Sequence, residues 1–180
     1  MQEERVLDGR TVRLRPTVVT DRPALVGIRS TPEVRRWWRG GDLVAEFDHE
    51  LSESDVHRFT IVAGDAIVGL IQFHEEPDEE YRHASIDIYV DPSVHRQGIA
   101  SDAIRRLADH LFDDRRHHRL TIDPAADNAA AIACYESVGF RPVGVMRRYE
   151  RRDDGAWGDG LLMDMLETDR GGATDQPNDS

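Results

Sequence analysis

Three short stretches carry residues whose types and spacing could do chemistry. In Ser85-Ile86-Asp87-Ile88-Tyr89-Val90 the aliphatic side chains alternate with Ser85, Asp87 and Tyr89, which reads as a strand with Asp87 on the face opposite the aliphatic residues. A carboxylate placed there is free to meet a cleft rather than the core. Next, Asp91-Pro92-Ser93-Val94-His95-Arg96-Gln97-Gly98 leads into a helix whose Ala100, Ala103, Ile104, Leu107, Ala108 and Leu111 form one apolar stripe. Gly98 lets a ligand approach the backbone, and unpaired first-turn N–H groups at the positive end of the helix dipole suit an anion such as a pyrophosphate. Third, Asn128 and Tyr135 lie two helical turns apart in a segment that Asp127 or Asn128 can cap and Gly139 can end. They share a face and could reach one extended ligand. A structural reading stands beside each: a packing glycine, a capping asparagine and a tyrosine at the edge of the core.

The elements that must position these residues follow from the rest of the chain. Thr11–Arg15 alternates before Pro16 as a first strand, and Asp21 opens a short helix bearing Ala24, Leu25 and Ile28. Ser30-Thr31-Pro32-Glu33 starts a second helix, expected to run to Arg39, where Gly40-Gly41 stop it. Trp37 and Trp38 would point about 100° apart on that helix, one into the core and one toward a cleft. Residues 42–57 read as acidic and irregular, with one helical turn at Ser52–Asp55. Phe59–Val62 and Ile67–Phe73 form a hairpin around Gly64-Asp65. The loop from Glu75 to Glu80 holds five carboxylates and is either a solvated loop or a rim that attracts polycations.

A helix is expected over 98–112, with His117 and His118 on the surface. Arg119–Asp123 reads as a strand closed by Pro124, and Cys134 as a core residue. A final hairpin joins Pro142–Arg147 to Leu161–Leu166 through Asp153-Asp154-Gly155.

Composition narrows the function classes. With 180 residues the chain suits one domain, 1–168, with a polar tail over 169–180 expected to be mobile. It shows no apolar run of spanning length and no leader pattern, so a cytoplasmic location and no membrane partner are expected. The single Cys134 excludes an internal disulfide, and no Cys/His cluster has zinc spacing, so no metal is expected. All 23 basic residues are arginine, which excludes a Walker-type phosphate loop and a Schiff-base lysine. A formal net charge of −12 argues against nucleic acid and is compatible with a cationic substrate.

Two stretches resemble a known superfamily. Val90-Asp91-Pro92 followed by His95-Arg96-Gln97-Gly98-Ile99-Ala100 is similar to motif A of the GCN5-related N-acetyltransferases (GNAT), Arg/Gln-x-x-Gly-x-Gly/Ala, with His95 departing from the usual residue. Asn128-x-x-Ala131-Ile132-x-x-Tyr135-Glu136-x-x-Gly139-Phe140 resembles motif B. The resemblance implies an α/β (α+β) GNAT fold, a mixed central sheet of about seven strands splayed in the middle and flanked by about four helices. It also implies acetyl-CoA as co-substrate, seated by Tyr89, Val90, His95, Arg96, Gln97, Gly98, Ile99, Ala100, Ser101, Asn128, Ala131 and Tyr135.

Within the superfamily the chain is similar to aminoglycoside 6'-N-acetyltransferases, through Arg36-Trp37-Trp38, Gln72, Ile86-Asp87, Thr121-Ile122-Asp123-Pro124, Ala131–Glu136 and Asp159-Gly160. This implies a polycationic amine acceptor held by Asp87, Asp123 and Asp159, with Gln72 beside them and Trp37 or Trp38 as a flat wall. An amine attacks a thioester only when neutral, so Asp87 is the expected base. Backbone N–H around Tyr89 and Val90 would stabilise the oxyanion, and Tyr135 would protonate the departing thiolate.

Arg147-Arg148-Tyr149-Glu150 and Asp154–Gly160 also resemble the ribosomal-protein N-terminal acetyltransferases, and siderophore lysine acyltransferases share the Trp-bearing helix. An acyl-CoA sensor and a protein-docking scaffold are the non-enzyme alternatives. The assembly is a monomer or a homodimer.

Overall fold

The alternation around Asp87 becomes strand β5 (Ala84–Val90) at the middle of an eight-stranded sheet in the computed structural model, which describes residues 5–170. The strands run in the order β1 (Leu7–Asp8), β2 (Arg13–Pro16), β3 (Val56–Ala63), β4 (Ala66–Glu75), β5, β6 (Arg119–Ile122), β8 (Trp157–Leu166) and β7 (Arg141–Arg151). All neighbours are antiparallel except β5 and β6, which run parallel and pair only at Ala84–Leu120 and Ser85–Thr121. Beyond Ser85 the two strands part. The expected fold class and the splay are thus present, with β1 as an eighth strand that a two-residue pairing segment could not announce.

Helices α1 (Arg22–Arg29), α2 (Pro32–Arg35) and α3 (Leu43–Ser52) lie ahead of the β3–β4 hairpin, while α4 (Ile99–Asp109) and α5 (Ala129–Val138) follow β5 and β6. Ile86 joins Ile104, Leu107 and Phe73 in the main core on one face of the sheet. Tyr89 points the other way and is buried with Leu25, Ile28, Val34, Phe47 and Leu70 beneath the first three helices. Residue alternation along one strand therefore feeds two separate cores. Among the described residues, no helix is long and apolar enough to cross a membrane.

Several expectations are corrected. The helix opened by Pro32 ends at Arg35 instead of reaching Gly40, so the tryptophan pair sits in a turn. Residues 42–57 are not irregular: Asp42 accepts N–H bonds from Val44 and Ala45 and caps the ten-residue α3, whose Leu43 and Phe47 are buried. The helix expected over 98–112 is α-helical only to Asp109 and ends in a wider π turn, His110–Asp114. Asp169 and Arg170, assigned to the mobile tail, are tied down by Arg141–Asp169 (2.8 Å) and Arg170–Asp113 (2.8 Å) ion pairs; residues 171–180 lie outside the described residues.

Two carboxylates, Asp102 buried and Glu75 half-buried, lock the scaffold. Asp102 on α4 accepts bonds from Thr11 N–H (2.6 Å), Thr11 Oγ1 (2.9 Å), Val12 N–H (3.1 Å) and Arg10 N–H (3.2 Å), tying the β1–β2 turn to the helix whose N-terminus faces the splay. Glu75, at the end of β4, is paired with Arg115 and accepts from His117 Nε2 at 2.6 Å. His117 is buried, contrary to the expected surface position; His118 is exposed.

Burial alone would raise Glu75, but the bonds from Arg115 and His117 outweigh it and hold the carboxyl at about 2. That contribution is fully present above the ordinary glutamate range and is lost as pH falls through about 2. Acid titration of stability should show a loss on the order of 3 kcal/mol between pH ~4.5 and ~2 that Glu75→Gln lacks. An unchanged acid limb in the variant would refute this role.

Candidate active site

The site forms where β5 and β6 part. Strand pairing places Gln72 opposite Asp87 and His74 opposite Ser85, so these four share a face, and Ser85 Oγ meets Thr121 Oγ1 across the parallel pair at 2.8 Å. Asp123 lies just past the end of β6. Tyr89 belongs to the same face but is covered by α1–α3, whereas Asp87 and Ser85 lie beyond that cover. The result is a polar row crossing three strands, open at the end where the aliphatic cover stops.

Its charges act on one another. Burial raises Asp87, and the negative charge of Asp123 adds to this, while the hydrogen bond from Gln72 Nε2 (3.3 Å) and nearby His74 pull it back. Burial likewise raises Asp123, opposed by a bond donated by the Tyr149 hydroxyl and augmented by Glu150. The bond to Asp123 in turn raises the Tyr149 phenol to about 12. Tyr135, on the helix that Asn128 caps, is buried and held protonated by burial, with the charges of Asp87 and Asp123 acting in the same direction. Asp87 and Asp123 are therefore within electrostatic reach of Tyr135, and Asp123 of Asp87.

Three members escaped the sequence reading: His74, Tyr149 and Glu150. His74 had a signal, since it lies two residues from Gln72 on the same strand face. Tyr149 and Glu150 owe their placement to a bulge in β7. Between Met146 and Glu150 that strand advances four residues while β8 advances two, from Gly160 to Gly158. Arg148, at φ 53°, donates its N–H to Asp159 Oδ1 at 2.8 Å. A β-carbon at Gly160 would lie 2.7 Å from the Tyr149 ring, so glycine there makes room for that ring. The exposed Asp159 carboxylate thus shapes the bulge through Oδ1.

The tryptophans divide as their adjacency requires. Trp38 packs edge-on against Tyr89, ring centroids 4.8 Å apart, at the rim of the second core. Trp37 carries the Arg36 guanidinium 4.6 Å above its ring and lines a cleft of about 410 Å³ with Arg39, Asp127 and Arg152. Arg39 bridges this turn to Glu150 at 3.1 Å.

On the other side of the splay lies the anion seat. Asp91 caps a short 3-10 turn (Pro92–Val94) by accepting from Ser93 N–H at 2.8 Å. Arg96 (φ 62°) and Gly98 (φ 76°) are both left-handed, with Gln97 between them, so the backbone folds into a concave turn suited to anions. The first helical bond of α4 runs from Asp102 N–H to Gly98 C=O, which leaves the N–H groups of Ile99, Ala100 and Ser101 without helical acceptors. A β-carbon on Gly98 would meet nothing within 4 Å, so space stands open above it.

His95, Arg96 and Gln97 are exposed around that space, whereas the Ile99 side chain is buried in the core and only its N–H can face a ligand. Ser101 Oγ lies 3.4 Å from Cys134 Sγ. Asn128 Oδ1 accepts from Ala131 N–H at 3.2 Å. Ala131 therefore has no N–H to spare, while Asn128 keeps its amide NH₂ to donate to a ligand.

Register also decides which backbone N–H groups face the gap, as the expected oxyanion donor must. Glu76 N–H to His83 C=O (2.9 Å) and Asp91 N–H to Val68 C=O (2.7 Å) bracket the β4–β5 ladder. Counting by twos between them makes Leu70–Tyr89 and Gln72–Asp87 hydrogen-bonded pairs. The Tyr89 N–H is thus committed to β4, while the N–H groups of Ile88 and Val90 point toward the gap where β6 no longer pairs. Of the two positions expected, Val90 alone retains a free donor.

An open glycine turn, three unpaired N–H groups and a splayed strand edge fit a nucleotide thioester with a pyrophosphate at one end. Residues 11–141 match the family model described as an acetyltransferase (GNAT) domain. The chain belongs to the GNAT acetyltransferase family. GNAT enzymes use acetyl-CoA, and the N-alpha-acetyltransferase RimI of Mycobacterium tuberculosis is 36% identical over 110 residues, covering 59% of this chain and 66% of that protein. The structure of Mycobacterium smegmatis RimJ in complex with CoA-disulfide superposes with a TM-score of 0.81 at 26% identity, covering 93% of this chain and 89% of that one. Spermidine N-acetyltransferase from Vibrio cholerae, solved with CoA and spermine, shares the GNAT fold at 20% identity and a TM-score of 0.75, covering 88% and 97%.

Gly98 gives a direct check of the seat. Gly98→Val should raise the Kd for acetyl-CoA by about tenfold or more, because a β-branched residue resists positive φ and fills the open space. Unchanged affinity by calorimetry would move the phosphate site elsewhere.

Proposed function

We propose that this GNAT enzyme transfers acetyl directly from acetyl-CoA to a primary amine of a small polycationic acceptor, with the 6'-amino group of an aminoglycoside as the first acceptor to test. The observation that carries the reading is the Asp87–Asp123 pair on an open face, where the charge of Asp123 adds to burial in raising Asp87 and the charge of Glu150 adds to burial in raising Asp123. Cationic groups of an acceptor would relieve that repulsion. The Trp37 cleft is linked to Glu150 through Arg39, and with Arg36 stacked on the Trp37 ring and Arg35 and Arg152 also in its lining it is a mixed-charge flank rather than an open aromatic wall.

Acetyl-CoA supplies an activated acetyl thioester. The N–H groups of Ile99, Ala100 and Ser101 hold its pyrophosphate, and the free amide of Asn128 takes the pantetheine arm. Asp87, whose proton affinity burial raises toward a useful value, removes a proton from the acceptor ammonium, directly or through water. Tyr135, kept protonated, donates to the departing sulfur. Cys134 contacts Ser101 and the core and takes no part as an acyl carrier.

A second acceptor class, the α-amine of a protein, is favoured by the likeness to RimI. Comparison of kcat/KM for kanamycin and tobramycin with an alanine-leading peptide, spermidine and N6-hydroxylysine separates the two. Aminoglycoside values about tenfold or more above the others support the proposal. A peptide that outperforms them sinks the small-molecule acceptor and keeps the donor half; binding of acetyl-CoA with no turnover on any amine would favour a sensor.

A further inference from the structure

Strand β4 carries a glycine inside the aliphatic run Ile67-Val68-Gly69-Leu70-Ile71. A β-carbon at Gly69 would lie 2.3 Å from the Tyr89 carbonyl oxygen and 3.0 Å from the Val90 α-carbon. Both are backbone atoms, so no flexible side chain can swing aside. β4 and β5 approach at Gly69–Val90 more closely than any residue with a side chain permits.

The Tyr89 carbonyl and the Val90 N–H belong to one planar trans peptide unit and point to opposite edges of β5. The carbonyl faces β4, in the Leu70–Tyr89 hydrogen-bonded pair, and the N–H faces the gap beside β6. A group that pushes the carbonyl away from β4 must therefore swing the N–H on the other side. The side chain missing from one strand sets the aim of a donor on the far edge of the next.

We infer that Gly69 is a positioning residue for acetyl transfer: its bare α-carbon sets the tilt of the Tyr89–Val90 peptide so that the Val90 N–H donates to the thioester oxygen of acetyl-CoA. The inference rests on the assignment of Val90 N–H as the oxyanion donor. It separates Gly69 from glycines such as Gly98, whose role is to leave room for the ligand itself.

The test is the carbonyl stretching frequency of bound acetyl-CoA, labelled with carbon-13 at the carbonyl, in the full chain. In the unsubstituted protein the frequency should fall below that of free acetyl-CoA, as hydrogen bonding polarises the bond. In Gly69→Ala it should return toward the free value, with kcat reduced about a hundredfold and the Kd for acetyl-CoA nearly unchanged. A merely structural role would lower thermal stability without moving the frequency.

Equal lowering in both proteins overturns the role of Gly69 while sparing Val90. No lowering in the unsubstituted protein overturns the Val90 assignment and this inference with it. Should Gly69→Ala not fold, replacement of Val90 by its α-hydroxy analogue, which exchanges the N–H for oxygen, must abolish the lowering; an unchanged frequency there overturns the inference as well.

Discussion

Asp87→Asn is expected to lower kcat by about 10²- to 10⁴-fold while leaving the Kd for acetyl-CoA nearly unchanged. Asparagine keeps the shape of the side chain and can keep a bond to Gln72, so the fold and the anion seat around Gly98 are undisturbed. What disappears is the proton acceptor. Because burial raises the Asp87 carboxyl above its ordinary value, the activity of the unsubstituted enzyme should rise as pH climbs through that raised value. The limb should be missing in Asp87→Asn. Initial rates across pH, with acetyl-CoA binding measured by calorimetry, check both parts, and unchanged turnover would remove Asp87 from the role of base.

Tyr135→Phe should lower kcat by about tenfold to a hundredfold and change KM far less. The phenol is buried, and burial together with the charges of Asp87 and Asp123 keeps it protonated. It therefore carries its proton at any working pH; because the raised phenol is a weaker acid than a thiol near ~8.5, it acts by hydrogen-bonding the departing sulfur and giving up its proton only as the C–S bond breaks. The ring packs against Phe140 at 6.4 Å between centroids, and phenylalanine preserves that contact, so stability should hold. A change confined to KM would instead make Tyr135 a residue that positions the thioester.

How far the sequence reveals this site depends on whether a residue's role is local. Asp87 is legible because alternation along one strand fixes its face, and Gly98 because a strand-to-helix turn needs few neighbours to be understood. Helical spacing places Asn128 as the cap of α5 and Tyr135 two turns on, while their expected roles toward a ligand came from the resemblance to motif B. The missed α3 was also local: Leu43, Phe47 and Leu51 recur every fourth residue behind the Asp42 cap, and the acidic residues between them hid the pattern.

Other features depend on distant partners and could not be read. His117 is buried because Glu75, 42 positions away, meets it across the fold. Tyr149 reaches Asp123 because two extra residues in β7 are accommodated against β8, with Asp159 and Gly160 shaping the fit. Asp159 was expected as an acceptor ligand from resemblance alone, and the bond its Oδ1 accepts from the backbone of Arg148 depends on the bulge. The direction of the Val90 N–H likewise required the register of two strands rather than the pattern of one.

The central claim is direct passage of acetyl from donor to amine over the Asp87–Asp123 face. It is tested most directly by measuring thiol release from acetyl-CoA together with the masses of enzyme and acceptor, first with acetyl-CoA alone and then with kanamycin or an alanine-leading peptide added. Direct transfer predicts an unmodified enzyme throughout and one free thiol for each N-acetylated acceptor. Acetyl found on the enzyme before any amine is added, at Cys134 or Tyr135, or thiol release that no amine accelerates, would contradict it.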